Sequence, residues 1–285
     1  MSENHNYIKT VAIKGLWGKY DLEWHLNPDV NILSGINGSG KSTVIRSLVE
    51  ILRSKELPPQ IRGVIEEIDV IFENGEMLVS GGGNKLSDYS IDVVSTFDNR
   101  MKELEAMQRL SDGFVRTELD WELYMVQRRY MSYQLEQSRN MIHLLQSRAP
   151  QEELDKITGH RTLFFDMMDK LFAQTGSVID RESDEICFYK GKQKISVYML
   201  SSGEKQLLLI LTTVLTQDYK PYILLMDEPE ISLHFDWQGT LIENIRTLNP
   251  NVQLIMSTHS PAVIMKGWLG HVTEMSDIVI KERAE

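Results

Sequence analysis

The residues best suited to chemistry lie in one glycine-rich stretch, Gly35-Ile36-Asn37-Gly38-Ser39-Gly40-Lys41-Ser42, which matches G-x-x-x-x-G-K-[ST] in full. Its glycines let the backbone wrap closely around phosphate oxygens, and the start of a following helix adds partial positive charge. We predict that Lys41 reaches the β- and γ-phosphates of ATP and that the Ser42 hydroxyl binds Mg²⁺. The residues predicted to bind ATP in this loop are Gly35, Asn37, Gly38, Ser39, Gly40, Lys41, Ser42 and Thr43.

Two adjacent carboxylates, Asp227 and Glu228, end an apolar run at residues 222–226. A buried strand here would deliver both side chains to one edge of a sheet, where open α/β sheets usually bind ligands. We predict that Asp227 holds Mg²⁺, directly or through water, and that Glu228 is the general base for an attacking water. The alternative is a strand that ends in a solvated acidic turn, and the complete phosphate-binding loop makes it less favoured.

A serine- and glycine-containing loop, Leu200-Ser201-Ser202-Gly203-Glu204-Lys205-Gln206, precedes an apolar helix. It resembles the signature loop of ABC-type ATPases, in the form found in the chromosome-maintenance and recombination (SMC-like) branch and in the overcoming-lysogenization-defect branch. The resemblance implies that Ser201 and Gly203 contact the γ-phosphate held by a second subunit. A hydroxyl, a glycine backbone and a helix N-terminus also suit an anion physically. Helix capping by Ser201 or Ser202 is a compatible interpretation.

A histidine follows another apolar strand, in the sequence Ser257-Thr258-His259-Ser260-Pro261. This loop resembles the switch-histidine loop of the same families. The resemblance implies that His259 hydrogen-bonds the γ-phosphate or the attacking water and senses hydrolysis, although a lone histidine after a strand is more often structural. The predicted catalytic residues are therefore Lys41, Glu228 and His259.

The segment between these motifs, residues 227–234, reads Asp-Glu-Pro-Glu-Ile-Ser-Leu-His. Transporter ATPases carry an aspartate where His234 stands. The Glu-x-Ser-Leu-His form, with Gln238 one turn further on, instead resembles the AAA-type ATPases of bacterial defence and DNA-processing operons. The resemblance covers most of residues 7–85 and 185–265.

Two features of ABC-type ATPases are not matched clearly. No glutamine ends a strand in the region where those proteins place a γ-phosphate sensor, because Gln60 lies too early, beside two prolines. Trp17 and Tyr20 are the two candidates for the aromatic residue that stacks on adenine, by their distance upstream of Lys41.

Alternating strands and helices must position these motifs. Apolar runs predict strands at residues 8–13, 22–26, 30–33, 68–72, 77–80, 91–97, 186–189, 195–198, 222–226 and 252–256, and helices at 41–53, 204–216 and 237–248. Asn74-Gly75 favours a tight hairpin turn, and we interpret residues 68–97 as a small antiparallel meander. The predicted fold class is α/β: a mostly parallel P-loop NTPase sheet flanked by helices, with an antiparallel β meander and a helical insert.

The insert has a different character from the rest of the chain. Apolar residues recur at helical spacing from Phe97 to Phe114, and two further helices are predicted at 118–146 and, after Pro150, up to 173. We predict an ATPase head at residues 1–97 and 176–285. The helical insert at residues 98–175 is predicted to be an arm or subdomain that docks a partner, or a support for the dimer. Its arginines, opposed only by Glu136 between residues 126 and 150, indicate either a basic face for nucleic acid or a solvated face of mixed charge. They are Arg128, Arg129, Arg139 and Arg148.

Composition excludes several classes of protein. The chain has 285 residues and a net charge of −11, which excludes a nucleic-acid coat driven by bulk charge. The single cysteine, Cys187, excludes a disulfide framework and fits a reducing cytosol. The polar start does not resemble a signal peptide, and no apolar run is long enough to span a bilayer. We expect a cytoplasmic protein without a membrane partner.

These residues predict an ATPase switch in which ATP and Mg²⁺ join two copies of the chain and hydrolysis releases them. Because the chain ends soon after His259, we expect a separately encoded effector, a nuclease by class, and the resemblance suggests anti-phage defence. One alternative is a DNA repair or recombination ATPase that binds DNA as a dimer. Others are a transporter nucleotide-binding subunit, which His234 and the insert disfavour, and a weakly hydrolysing ATP-gated scaffold.

Overall fold

The computed structural model of the chain describes residues 7–54, 57–80, 90–95 and 115–283. Contacts divide these residues into two compact units. Unit 1 takes its residues from 1–97, 220–230 and 251–285, and unit 2 from 98–219 and 231–250. The phosphate-binding loop, Asp227, Glu228 and His259 lie in unit 1, and the signature loop lies in unit 2. The predicted division into a head and an insert stays a prediction.

Most predicted strands and helices are confirmed within a few residues. The strands are β1 (Ile8–Leu16), β2 (Tyr20–His25), β3 (Val30–Ser34), β4 (Glu67–Phe72), β5 (Met77–Val79), β6 (Ile91–Ser95), β7 (Ser177–Ile179), β8 (Cys187–Lys190), β9 (Gln193–Ser196), β10 (Tyr222–Asp227), β11 (Val252–Ser257), β12 (Val272–Glu274) and β13 (Val279–Glu282). The helices are α1 (Lys41–Ser54), α2 (Pro59–Arg62), α3 (Glu118–Gln146), α4 (Gln151–Phe172), α5 (Ser202–Leu215), α6 (Phe235–Gln238), α7 (Leu241–Leu248) and α8 (Pro261–Met265). The helix predicted from Phe97 to Phe114 lies outside the described residues.

Unit 1 contains two five-stranded sheets, which confirms the predicted fold class. One sheet has the order β12-β3-β11-β10-β6 and is parallel throughout. The other, β13-β2-β1-β4-β5, is antiparallel. Strands β10 and β11 are almost fully buried, and α1 packs against both of them. This packing fixes the end of β10 beside the start of α1.

Strand β6 differs from the prediction. It pairs in parallel with β10, with Val93 opposite Leu225, and does not extend the antiparallel meander of β4 and β5. The physical reason is that a buried central strand needs hydrogen-bonding partners on both edges. β11 supplies one edge of β10, and β6 supplies the other.

Unit 2 is built around α5, which is buried along most of its length. Helices α3 and α4 are joined by four residues, pack on each other and both pack on α5, so they form a helical hairpin. Thr117 and Asp120 make a capping box that begins α3. The helix predicted over 237–248 is instead two pieces, α6 and α7, interrupted at Gly239 and Thr240. A small antiparallel sheet, β7-β8-β9, completes the unit.

No helix in the described part of the chain combines the length and the apolar composition needed to cross a membrane.

Candidate functional site

The phosphate-binding loop connects β3 to α1 as the motif predicts. Gly38 and Gly40 have φ values of 80° and 102°, which side chains rarely adopt. A Cβ on Gly40 would also lie 3.0 Å from the Trp17 ring. The buried Lys41 ammonium donates to the carbonyls of Gly35 at 3.0 Å and Ile36 at 3.1 Å. Burial lowers the pKa of Lys41, and nearby carboxylates act in the opposite direction.

The two predicted metal ligands lie together. Asp227 is opposite Ser257 in the parallel pairing of β10 with β11, and the Ser257 hydroxyl donates to Asp227 Oδ1. The Ser42 side chain also hydrogen-bonds Asp227. Burial raises the pKa of the Asp227 carboxyl, while these two hydrogen bonds favour its ionised form.

A hydroxyl and one carboxylate are hard oxygen ligands that fit Mg²⁺, which usually keeps waters and binds substrate phosphates as well. Among the described residues, no group of three or more His, Cys, Asp or Glu side chains is arranged to hold a metal ion. The donor set at Ser42 and Asp227 therefore fits a metal shared with nucleotide phosphates.

The predicted base and the predicted switch residue form a pair. Glu228 Oε1 lies 3.0 Å from His259 Nε2. Glu228 has a φ of 44°, and its amide donates to the Ser257 carbonyl at 3.1 Å and the Ser257 hydroxyl at 3.2 Å. These bonds hold the turn after β10 in an otherwise unfavourable conformation. In this conformation the Glu228 carboxylate faces His259.

These groups surround one cavity of about 360 Å³. It is lined by Trp17, Asn37, Gly38, Gly40, Lys41, Ser42, Thr43, Glu228 and His259. Gly35 and Ser39 do not line it, and Ser39 Oγ is buried without a hydrogen-bond partner among the described residues. Of the two candidate adenine-stacking residues, Trp17 lines the cavity and Tyr20 does not.

Sequence reasoning assigned no role to Glu230, which is buried. Its Oε1 accepts hydrogen bonds from the Thr258 hydroxyl and from the His259 amide, the latter at 3.0 Å. The signal available in the sequence was the second glutamate of Asp-Glu-Pro-Glu, three residues after Asp227.

The signature loop begins α5 in unit 2. Ser201 caps the helix: its hydroxyl donates to Glu204 Oε2 at 2.7 Å and accepts from the Glu204 amide at 3.3 Å, which confirms the capping interpretation. Ser201 and Ser202 are exposed, whereas Gly203 is buried. A Cβ on Gly203 would collide with the Ser232 carbonyl, so packing within the chain already requires glycine there. The contact of Ser201 and Gly203 with a partner's phosphate stays a prediction.

The fold of the chain is similar to that of Smc head domains. It superposes on the Smc head bound to the C-winged helix domain of ScpA with a TM-score of 0.53 and 14% sequence identity, covering 91% of this chain and 92% of that chain. The Pyrococcus furiosus Smc head domain gives a TM-score of 0.50 at 15% identity, with 92% of each chain covered. At such identities the likeness shows the fold alone.

Sequence comparisons identify similar protein families and individual relatives. Residues 138–265 match the family described as "AAA domain, putative AbiEii toxin, Type IV TA system". The chain is 38% identical over 86 residues to "Retron Vc95 probable ATPase" of Vibrio cholerae serotype O1 biovar El Tor, covering 26% of this chain and 17% of the relative. It is 22% identical to "Septu protein PtuA" of Bacillus thuringiensis, covering 96% of this chain and 78% of the relative. The predicted resemblance to SMC-like ATPases and to ATPases of bacterial defence operons is confirmed.

Proposed function

We propose that this chain is a Mg²⁺-dependent ATPase whose ATP-driven dimerisation controls a separately encoded effector, expected to be a nuclease, in anti-phage defence. The observation that carries the ATPase proposal is that Lys41, Ser42, Asp227, Glu228 and His259 come together around or beside one cavity, although they lie in three separate segments of the chain. The names of the relatives support the defence role. The single thiol, Cys187, is free and buried, as suits the cytoplasm.

The residues divide the chemistry between them. The loop amides and Lys41 would bind the phosphates of ATP, and Ser42 with Asp227 would hold Mg²⁺, which neutralises charge that develops on them. Glu228 would take a proton from the attacking water, and His259 orients the Glu228 carboxylate. Donors from a second subunit would complete the stabilisation of the leaving phosphate.

We propose Trp17 as the residue that contacts the nucleotide base. It is 47% exposed at the turn between β1 and β2, has a φ of 55°, and places its ring edge against Gly40 at the cavity. A large apolar ring held at the mouth of a phosphate site is suited to stacking.

Exposed apolar side chains near the motifs support self-association. In unit 1, Ile36 of the phosphate-binding loop is 82% exposed, and Met265 lies shortly after His259 at 72%. In unit 2, Met199 next to the signature loop is 65% exposed, and Phe235 after His234 is 70%. Exposed apolar groups that recur beside each functional motif are typical of a protein interface. We propose that a second copy of this chain covers them.

The outer part of α3 supports a contact with the effector. Four apolar side chains, each 46–59% exposed, recur at coiled-coil spacing along it. They are Met131, Leu135, Ile142 and Leu145. A groove of about 670 Å³ between α3 and α4 lies beside them, and in it Gln137 Nε2 and Arg161 Nε are buried without hydrogen-bond partners among the described residues.

The groove donors of Gln137 and Arg161 and the local excess of arginine suit an acidic partner. The apolar stripe on α3 suits an amphipathic helix and would gain nothing from the phosphates of a nucleic acid. Together they favour an acidic, amphipathic helix of the effector over nucleic acid. Leu135→Glu, which places a negative charge in the apolar stripe, should abolish effector binding in a pull-down with the protein encoded by the neighbouring gene, whereas the exposed control Asn140→Ser should bind normally. DNA binding that falls steeply with salt and is lost with Arg139→Ala would favour the DNA-repair alternative instead.

Turnover of ATP by the purified chain tests the ATPase proposal. The parent should release phosphate from ATP only with Mg²⁺, and Lys41→Ala should bind ATP about 10- to 100-fold more weakly, since charge-assisted bonds to phosphate contribute on the order of 1.5–3 kcal/mol. ATP binding by Lys41→Ala at the parent affinity would refute the phosphate-loop assignment. Binding by the parent without any turnover would favour the ATP-gated scaffold.

A further inference from the structure

The carboxylate of Glu230 organises the loop that carries His259. Glu230 is 7% exposed, and its Oε1 accepts from both the Thr258 hydroxyl and the His259 amide. Thr258, which is fully buried, accepts in turn from the Ser260 amide at 2.9 Å. Three consecutive residues of the loop therefore take their positions from one buried acid.

A buried carboxylate is costly unless hydrogen bonds compensate it. Glu230 receives such bonds only because the Thr258–His259 backbone approaches it closely, so the two segments stabilise one geometry together. Removing the acid would leave the Thr258 hydroxyl and the His259 amide without this acceptor. The loop would then be free to settle elsewhere.

The consequence reaches the predicted base. The amide of His259 is fixed by Glu230, and the imidazole of the same residue contacts Glu228 at 3.0 Å. A displacement of the His259 backbone therefore displaces its Nε2 from Glu228. Residue 230 is also the last one of unit 1 before the chain enters unit 2, where the exposed Ile231 follows.

We propose that Glu230 is a positioning residue for hydrolysis, which acts by holding His259 against Glu228. This inference rests on the proposed ATPase function. Glu230 does not itself line the cavity, but its hydrogen bonds to Thr258 and His259 connect it to the loop that does, so its effect on rate passes through the His259 loop.

Steady-state ATPase kinetics of Glu230 variants test the role. Glu230→Ala should lower kcat on the order of 10- to 100-fold, the loss expected when a catalytic group shifts by about 1 Å, and should leave KM for ATP within about twofold. Glu230→Gln should recover most of the rate, because its amide oxygen can accept the same two bonds. Glu73→Ala, which removes an exposed acid paired with Lys9, is the matched control and should behave as the parent.

A double variant separates positioning from general damage. In a His259→Ala background, Glu230→Ala should change kcat by less than about twofold, since the residue through which it acts is gone. Independent, multiplicative losses would overturn the proposal. If Glu230→Ala does not fold, Thr258→Val removes the same contact from the other side and should show a smaller loss of kcat, with Thr258→Ser as its rescue.

Amide hydrogen exchange gives a readout that needs no hydrolysis. The His259 amide should exchange at least about tenfold faster in Glu230→Ala than in the parent, because its acceptor is lost. Unchanged exchange would overturn the inference even if the parent is an active ATPase. A parent that turns over no ATP, with faster exchange in the variant, would instead refute the proposed function and leave the contact itself established.

Discussion

The phosphate cavity of unit 1 and the helical hairpin of unit 2 use polar groups in different ways. In unit 1, Asp227 and Glu230 accept hydrogen bonds from residues 257–259, and Glu228 Oε1 lies 3.0 Å from His259 Nε2, so strand ends and short turns position these three carboxylates. The outer hairpin instead exposes apolar side chains such as Leu135 and Ile142. Chemistry needs fixed geometry, whereas a surface that binds a partner helix needs only spacing and charge.

The root of the hairpin is the part where α3 and α4 pack against the rest of unit 2. Buried polar contacts position its residues, as they do at the cavity, whereas the outer end of the hairpin is exposed. Lys205 of α5 and Asp120 of α3 form a pair 2.7 Å apart, with side chains 14% and 4% exposed. Gln127 makes two bonds to the backbone of Ile186, at 2.8 Å and 3.0 Å. The imidazole of His160 donates to the carbonyl of Leu248 at 2.9 Å. The hairpin is therefore anchored at one end and solvated at the other.

The largest effect is expected in the cavity. Glu228→Gln removes the predicted base while keeping the shape of the side chain, so kcat should fall by about 10²- to 10⁴-fold with ATP still bound. Size-exclusion chromatography with light scattering should then show an ATP-bound dimer that persists. Hydrolysis at the parent rate would mean that Glu228 is not the base.

The next effect concerns the root of the hairpin. Asp120→Asn leaves Lys205 in a largely buried position without its counter-charge, which should cost about 3–5 kcal/mol of unfolding free energy in urea. Asp166→Asn, which breaks an exposed pair with Arg181, is the control and should cost less than about 1 kcal/mol. If both variants lost the same free energy of unfolding, the buried Asp120–Lys205 pair would not be important for stability.

The same pair predicts a pH dependence of stability. Burial alone would raise the pKa of Asp120, but hydrogen bonds from Lys205, the Arg116 amide and Thr117 hold it below its usual value. A depressed folded-state pKa contributes stability that is present above the unfolded pKa of about 3.9 and is lost as pH falls through the folded value. The advantage of the parent over Asp120→Asn should therefore be constant from pH 7 to about pH 5 and shrink below about pH 4.

A smaller effect is expected at the mouth of the cavity. Trp17→Ala should weaken ATP binding by about five- to tenfold, as expected for the loss of one aromatic stacking contact of about 1–1.5 kcal/mol. The affinity for inorganic triphosphate, measured by calorimetry, should stay the same because it has no base. Equal weakening for both ligands would show that Trp17 supports the loop and does not contact the base.

The smallest effect on stability is expected at the outer hairpin. Ile142→Ser should change the free energy of unfolding by less than about 0.5 kcal/mol, because the side chain is already half exposed. A loss above about 2 kcal/mol would show that the exposed stripe is covered within the chain and that the outer hairpin is as tightly packed as the cavity.

Motif spacing was sufficient to predict the phosphate-binding loop, the carboxylates at the end of β10 and the helix over 118–146, because local sequence determines loops, strand ends and caps. The pairing of β6 with β10 could not be predicted in this way, because an apolar run carries no information about which strand it will pair with. The role of Glu230 was also hidden, because it depends on a contact with Thr258, which lies 28 residues later in the chain. Contacts of that kind follow from the tertiary structure and not from local pattern.

Complementation between two inactive variants tests whether each working site combines the phosphate-binding loop of one copy with the signature loop of another. Lys41→Ala disables the first element, and Ser201→Arg blocks the second. If sites are shared, a mixed dimer contains one intact site, and an equimolar mixture should recover up to about a quarter of the parent rate in single-turnover hydrolysis. A mixture no faster than the sum of the two separate variants would contradict the shared site and indicate that each chain hydrolyses ATP alone.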